Sequence, residues 1–455
     1  MAFKISTGIR RFTILALITT LLAISSGDRS TLAIAGPHMA ADLGLSQIEM
    51  GWLFSAFAWA YVLAHVPAGW LVDRFGVKST VLAGLLLWSV VTMFMASASW
   101  FAQPFMVLLL ARLLLGAFES PVGPAASRII AAWFPTAERG VAGSIFNCGQ
   151  YIALVVFTPL MGLLDHLFGW EHIFAVMGVL GIAFAAIWLV FYEAPSKDRR
   201  LKGSELAHIR DGGGLADLGG NTGKEEAKPR LGDLAALFRS RMLVGIFITQ
   251  YCIAAITWFF VTWFPSYLVK ERGLSVFEAS LISSVPAIFG FLGGILAGFF
   301  SDFLLRRTGS LSIARKVPIT IGLGMSALMI GCNYTDSTTL VIVLMSAAFF
   351  GKGFGSLGFT VIADTAPKKI IGLTGGVFNA LGNTAGIVTP VVIGFILSAT
   401  NSFAGALLYV GVHGLVAVFT YWIIVGPIRR LEIGGDDAGQ APFGAAPARQ
   451  TKKPA

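Results

Sequence analysis

Charge is scarce in this 455-residue chain: Asp, Glu, Lys and Arg make up 13% of it, where a soluble domain carries about 25%. Cysteine is scarcer still. Cys148, Cys252 and Cys332 lie far apart in apolar segments, which excludes a disulfide framework or a thiolate metal site. The chain shows no cluster of metal-ligating residues, no nucleophile–base arrangement and no phosphate-binding loop, so nothing implies an enzyme, a metal or a cofactor. The alternating ten-residue segments of a β-barrel are missing too. Apolar residues fill the chain instead: 56% are hydrophobic and the mean hydropathy is +0.77. Such a composition specifies an all-α polytopic membrane protein.

At about 20 residues per span, helices are expected over 10–35, 49–71, 79–98, 103–132, 141–164, 171–192, 242–266, 278–302, 316–333, 338–365, 371–398 and 403–426. These twelve spans form two six-helix bundles, 1–192 and 242–428. A linker, 193–241, joins them; its Gly- and charge-rich sequence is expected to stay unfolded. Its last part, 231–238, could lie on the membrane as a short amphipathic helix. The tail, 429–455, is rich in Gly, Ala and Pro and is expected to be disordered.

The net charge of +9 raises the question of nucleic acid, and its distribution answers it. Of 33 Lys and Arg, 28 fall in one set of loops, termini and adjoining span ends; Lys270 and Arg272 fall in the other, and Arg29, Arg112 and Lys352 lie deep within spans. This positive-inside asymmetry excludes nucleic acid as the partner. It implies a multi-pass protein of the cell (inner) membrane with both termini cytoplasmic. Lys4, Arg10 and Arg11 before an apolar stretch imitate a signal peptide, but Asp28-Arg29 interrupts that stretch, so an uncleaved first helix is expected.

The two bundles repeat one another. Gly69-x-x-x-Asp73 recurs as Gly298-x-x-x-Asp302, Pro135 as Pro367, Phe146-Asn147 as Phe378-Asn379 and Thr158-Pro159 as Thr389-Pro390, at offsets of 229, 232, 232 and 231 residues. Each match is weak alone, but four at nearly one offset mark a duplicated unit. Duplicated helical halves joined by a polar linker are the architecture of a secondary transporter that rocks about a central site.

The charged residues inside the spans are the candidates for that site. Asp28 and Arg29 interrupt the apolar run 12–35, and a charge at membrane depth is kept only where a partner or an aqueous cavity receives it. A helix ending at Ser26 would leave the pair in an outer loop, but 12–26 is shorter than the roughly 20 residues a span needs. On the fourth span, Arg112 and Glu119 are seven residues apart, two turns on one face, separated by roughly 10 Å along the axis. The four groups could meet in one cavity or, alternatively, pair only to hold helices together. Arg is always charged and its fork matches a carboxylate, so Arg29 and then Arg112 are the candidate anion grips. Asp28 and Glu119 can take up protons. A bound anion that engages an Arg favours proton uptake by its neighbouring acid, and the coupling is reciprocal. Lys352 on the tenth span could balance a second carboxylate or merely snorkel. Tyr61, Gln150, Ser356, Asn379 and Asn383 could bond substrate hydroxyls or other helices. His65 and His413 are expected to pack within spans, and glycines 51, 69, 290, 293, 294, 298, 375 and 376 to permit close helix crossings.

The loop GWLVDRFGVK (69–78) carries Gly-x-x-x-Asp-Arg-x-Gly-x-Lys, and here the chain resembles the major facilitator superfamily. The resemblance implies gating roles for Asp73, Arg74 and Asp302, with Asp73 receiving basic helix ends to lock the halves while the inside is closed; an ordinary basic inner loop is the alternative. Asp28-Arg29, Arg112-x6-Glu119-x-Pro121, Tyr61 before Pro67-x-Gly69, and Phe146-Asn147-x-x-Gln150 narrow the resemblance to the anion:cation symporter family. The tenth (351–369) and eleventh (375–396) helices are similar to those of its galactarate, glucarate and galactonate carriers. One departure is Ser26, where relatives commonly carry an aromatic residue. The resemblance implies a symporter that imports a sugar acid, a hexonate, aldarate or hexuronate, with a proton as coupling ion. Another organic anion, such as an aromatic, phthalate-like or aliphatic carboxylate, is the alternative substrate on the same scaffold.

Overall fold

The computed structural model describes residues 9–216, 235, 237–367 and 370–431. Twelve of its helices are long and apolar enough to cross a membrane: Arg10–Asp42, Gln47–Phe75, Val77–Met95, Pro104–Trp133, Arg139–Phe168, Trp170–Phe191, Arg241–Thr262, Val276–Thr308, Leu311–Tyr334, Thr338–Thr365, Leu373–Thr400 and Ala404–Val425. All the expected spans are present, most of them longer at one or both ends than their apolar runs. The extra turns are built by polar end residues, since a helix satisfies its own backbone hydrogen bonds both inside and just outside the bilayer.

Local chemistry explains where the spans start and stop. Ser46 and Glu49 form a reciprocal capping box at the start of the second span, and Ser275 and Glu278 form the same box at the start of the eighth. Their offset of 229 residues is that of Gly69 and Gly298, so the duplication extends to the caps. Gly76 turns the chain between the second and third spans at φ +81°, a left-handed conformation that other residues resist. The fourth span breaks at Ser120-Pro121, and the tenth passes through a short 3-10 turn at Phe354–Ser356. Both breaks adjoin candidate site residues, as expected where backbone lines a cavity rather than lipid.

Among the described residues, the contacts between the halves run from one end of the seam to its middle, where the Tyr151 and Phe291 rings meet at 5.7 Å. At the end away from the termini, the far side, a Cβ on Gly51 would stand 2.8 Å from the Pro390 carbonyl oxygen, and one on Gly394 would stand 2.7 Å from that of Gln47. Ser55 Oγ donates to the Ile387 carbonyl at 2.7 Å, the Phe54 and Trp263 rings meet at 5.2 Å, and Gly162 packs on Ser280. At the end carrying the termini, no described residue lies within 4 Å of a Cβ placed on Gly69, Gly140, Gly143, Gly298, Gly375 or Gly376. The seam is closed on the far side and open toward the termini. The glycine expectation therefore divides. Gly51, Gly290 and Gly293 sit in tight crossings, whereas Gly69, Gly298, Gly375 and Gly376 face open space, because their helices are parted in this state.

The linker departs from expectation. Gly203–Asp211 is a helix, and Ile209 and Ala216 are buried in the core of the first half. Glu205 accepts from the Arg11 backbone N–H at 3.1 Å, Arg10 pairs with Asp198 at 2.7 Å, and Glu138 pairs with both Arg11 and His208 at 3.2 Å. A short, charge-rich segment folds here because a preformed surface supplies the apolar pocket and the counter-charges it lacks. The expected surface helix at 231–238 falls mostly, and the tail from 432 entirely, outside the described residues.

Candidate substrate site

The fourth span is pressed against the second. A Cβ on Gly116 would stand 2.2 Å from the Phe57 carbonyl oxygen and 3.0 Å from the Tyr61 nitrogen, so only glycine allows this approach. Arg112 and Glu119, flanking Gly116 on the same helical face, are thereby driven toward the first and second spans. Gly27 serves the first span likewise, meeting Phe157 and Met177 where a Cβ would clash.

The four charges meet, but unequally. Arg29 Nε pairs with Glu119 Oε2 at 3.1 Å. Ser25 Oγ donates to the same carboxylate oxygen at 2.7 Å and accepts from the Arg29 guanidinium at 3.0 Å. The Arg29 guanidinium also lies over the Phe57 ring at 5.1 Å and the Tyr61 ring at 5.2 Å. Its side chain is 18% exposed, whereas that of Glu119 is fully buried. Arg112 is buried, donating to the Leu53 carbonyl at 3.3 Å and lying 5.4 Å from Phe57 on the ring's face. Asp28 is buried, with the Trp88 indole N–H as its neighbouring donor at poor hydrogen-bond geometry and Glu119, Arg112 and Arg29 acting on it electrostatically. Of these four groups, Arg29 alone reaches open space in this state; the other three stand behind it.

The polar candidates are dispersed around the seam. Tyr61 is half-buried and stacked on Phe57 at 5.5 Å. Gln150 is exposed on the fifth span, and Ser356 is exposed at the break in the tenth, donating weakly to the Gly294 carbonyl at 3.5 Å. Asn383 donates to the side chain of Asn379 at 3.0 Å. Lys352 lies 4.9 Å from the Phe349 ring and 5.7 Å from the ring of Tyr151 across the seam. Toward the far side, a small cavity is lined by residues of both halves, Ser30 and Thr158 facing Phe260, Ser283 and Phe349. Ser25 and Phe57 escaped the sequence reading, and Thr158 entered it only as part of the repeat; the signals were Ser25 four residues before Arg29 and Phe57 four before Tyr61, both one turn away on the same face.

The gating candidates are all engaged within their own halves. Asp73 pairs with Arg128 of the fourth span. Arg74 stacks on Trp70 at 5.1 Å. Arg315 bonds Asp364 at 2.9 Å and approaches Asp302 at 4.0 Å. None of these pairs bridges the open seam. His413 caps the Tyr409 carbonyl at 2.8 Å, and His65 packs against Tyr61 at 5.4 Å. Among the described residues no group of His, Cys, Asp or Glu could hold a metal, and the three cysteines are free.

Two six-helix halves, closed at one end around buried charges, match a family at the level of sequence as well. Residues 18–314 fit the Major Facilitator Superfamily. The chain belongs to that superfamily. It is 47% identical over 427 residues to the probable galactarate/D-glucarate transporter GudP of Bacillus subtilis (strain 168), covering 93% of this chain and 94% of the relative. It is 38% identical over 424 residues to the D-galactonate transporter of Escherichia coli O6:H1, covering 93% and 97%. Among solved structures, a bacterial homolog of the human lysosomal transporter Spinster, in an inward-facing and unoccupied conformation, superposes with a TM-score of 0.72 at 18% identity, over 91% of this chain and 97% of that one. That last likeness is one of fold. As a member of the superfamily the protein is a membrane transporter and not an enzyme.

Proposed function

We propose that this transporter is a proton-coupled symporter that imports sugar acids, six-carbon aldarates foremost, by alternating access. The observation that carries the reading is the Arg29–Glu119 pair: a guanidinium open to the seam, held by an acid buried behind it. The substrates named for the 47%-identical relative point to the same chemistry. In this scheme the substrate carboxylate takes the Arg29 fork, which loosens Arg29 from Glu119. Glu119 then has Ser25 alone as a partner, and protonation relieves its buried charge. Asp28, buried beside Glu119 and the two guanidiniums, is the second proton carrier. Arg112 sets the field behind the site, with Tyr61, Gln150, Ser356, Asn379 and Asn383 offering bonds to hydroxyls. Asp28 and Glu119 balance Arg29 and Arg112, so a monoanion enters with at least one proton.

The asymmetry of Lys and Arg supports the termini as the cytoplasmic side, which makes this the inward-open state, with Asp73, Arg74 and Asp302 awaiting partners across the seam when the inside closes. The test is uptake of labelled galactarate into proteoliposomes with and without an inward proton gradient. Accumulation that needs the gradient is the expected result. Uptake driven by sodium alone, or preference for an aromatic acid, would overturn the reading.

A further inference from the structure

Lys352 is left at mid-membrane without a counter-charge among the described residues. Arg29, Glu119 and Lys352 lie 13, 15 and 14 residues from Asp42, Pro104 and Thr338, the far-side ends of their spans, which places all three at about 20 Å depth along their helices. The acids of the second half among the described residues are Glu271, Glu278, Asp302, Asp336 and Asp364, and all lie within two turns of a helix end or between helices. Lys352 instead rests on two rings, Phe349 of its own helix and Tyr151 of the opposite half. Gly351 and Gly353 on either side make the close helix crossings, to Gly322 and Gly290, so the lysine is not needed for packing. An ammonium at this depth is kept for a partner, and no acid among the described residues of either half forms an ion pair with it. A small far-side cavity lies between the halves next to these residues: its wall includes Ser30, which follows Arg29 in the chain, and Phe349, the ring beside the ammonium, and the buried hydroxyl of Thr158 lines it without a hydrogen-bond partner.

We infer that Lys352 is the carboxylate receptor of the second half, so that Arg29 and Lys352, one from each half, hold the two ends of a sugar dicarboxylate. This rests on the sugar-acid reading and deepens it: the site selects diacids over monoacids of equal length. The aromatic rings hold the ammonium while the site is empty, and a carboxylate replaces them when it is filled. Each end of the substrate then belongs to a different half, which draws the halves together around it. With Lys352 included, a dianion leaves one negative charge, matched by one proton.

The test compares binding of galactarate, galactonate and galactitol to the purified transporter by calorimetry. The unsubstituted protein is expected to prefer galactarate to galactonate and to ignore galactitol. Lys352→Gln is expected to weaken galactarate binding about tenfold or more, the scale of a charge-assisted bond, and galactonate binding less than about threefold. Lys352→Arg keeps the preference. Because the ratio is taken within each variant, differences in yield cancel, and Lys352→Met serves if the Gln variant does not fold. Equal weakening of both acids, or an unchanged ratio, would overturn the inference. Binding of neither acid by the unsubstituted protein would instead overturn the sugar-acid reading beneath it.

Discussion

Glu119 accepts from Ser25 and Arg29 through one oxygen and leaves the other without a partner, so an amide in its place disturbs packing little. Glu119→Gln is expected to abolish accumulation driven by a pH gradient while retaining substrate counterflow; full acid-driven uptake by the variant would excuse Glu119 from coupling. Arg29→Lys keeps the charge and loses the fork that fits a carboxylate. Its apparent affinity for sugar acids should fall about tenfold, read as a raised KM with the thermal stability unchanged. Gly116→Ala places a methyl 2.2 Å from the Phe57 carbonyl oxygen. Overpacking of this kind costs about 1–3 kcal/mol, so a lowered Tm and displaced charges should appear together. Glu119 and Arg29 were legible in the sequence because charge inside an apolar run is conspicuous; Gly116 was not. Ser25 and Phe57 were not, since a serine and a phenylalanine on a buried face look like ordinary packing until the partner helix is known.

Among the elements, the spans were readable and the linker helix was not. Long apolar runs force helices through a bilayer whatever their neighbours, whereas Gly203–Asp211 has too little apolar surface to fold alone and depends on the pocket that receives Ile209. Ile209→Asp should release it. The check is limited proteolysis with trypsin, for which Lys197, Arg199, Arg200, Lys202 and Arg210 offer sites; faster cleavage in the variant at unchanged transmembrane stability is expected. Equal rates would mean that the ion pairs through Arg10, Arg11 and Glu138 hold the segment without the isoleucine.

At the scale of the molecule, one seam has two ends, and only the far end is closed. Gly51 is one of the tight crossings there, with the Pro390 carbonyl 2.8 Å from where its Cβ would be. Gly51→Leu should prise that end open and shift the population toward the opposite state. A cysteine at Gly375, which faces open space, reports the change in a chain whose three free cysteines are replaced. Labelling by a soluble maleimide should be fast in the parent and several-fold slower with Gly51→Leu, as Asp73 and Asp302 gain partners from the closing half. Unchanged labelling would mean that the far-side crossing does not set the equilibrium.

The amino-acid sequence by itself determined the number of spans, the duplication and which charged residues lie at membrane depth. Those properties follow from local cost: every apolar run must become a helix, and every buried charge stands out against it. Which of the four charges opens to the seam, which end of the seam is shut, and that Lys352 rests on rings from both halves were decided by tertiary structure. Each depends on how two helices of unrelated position approach, and that distance is set by glycines whose partners are hundreds of residues away or on another face of the bundle.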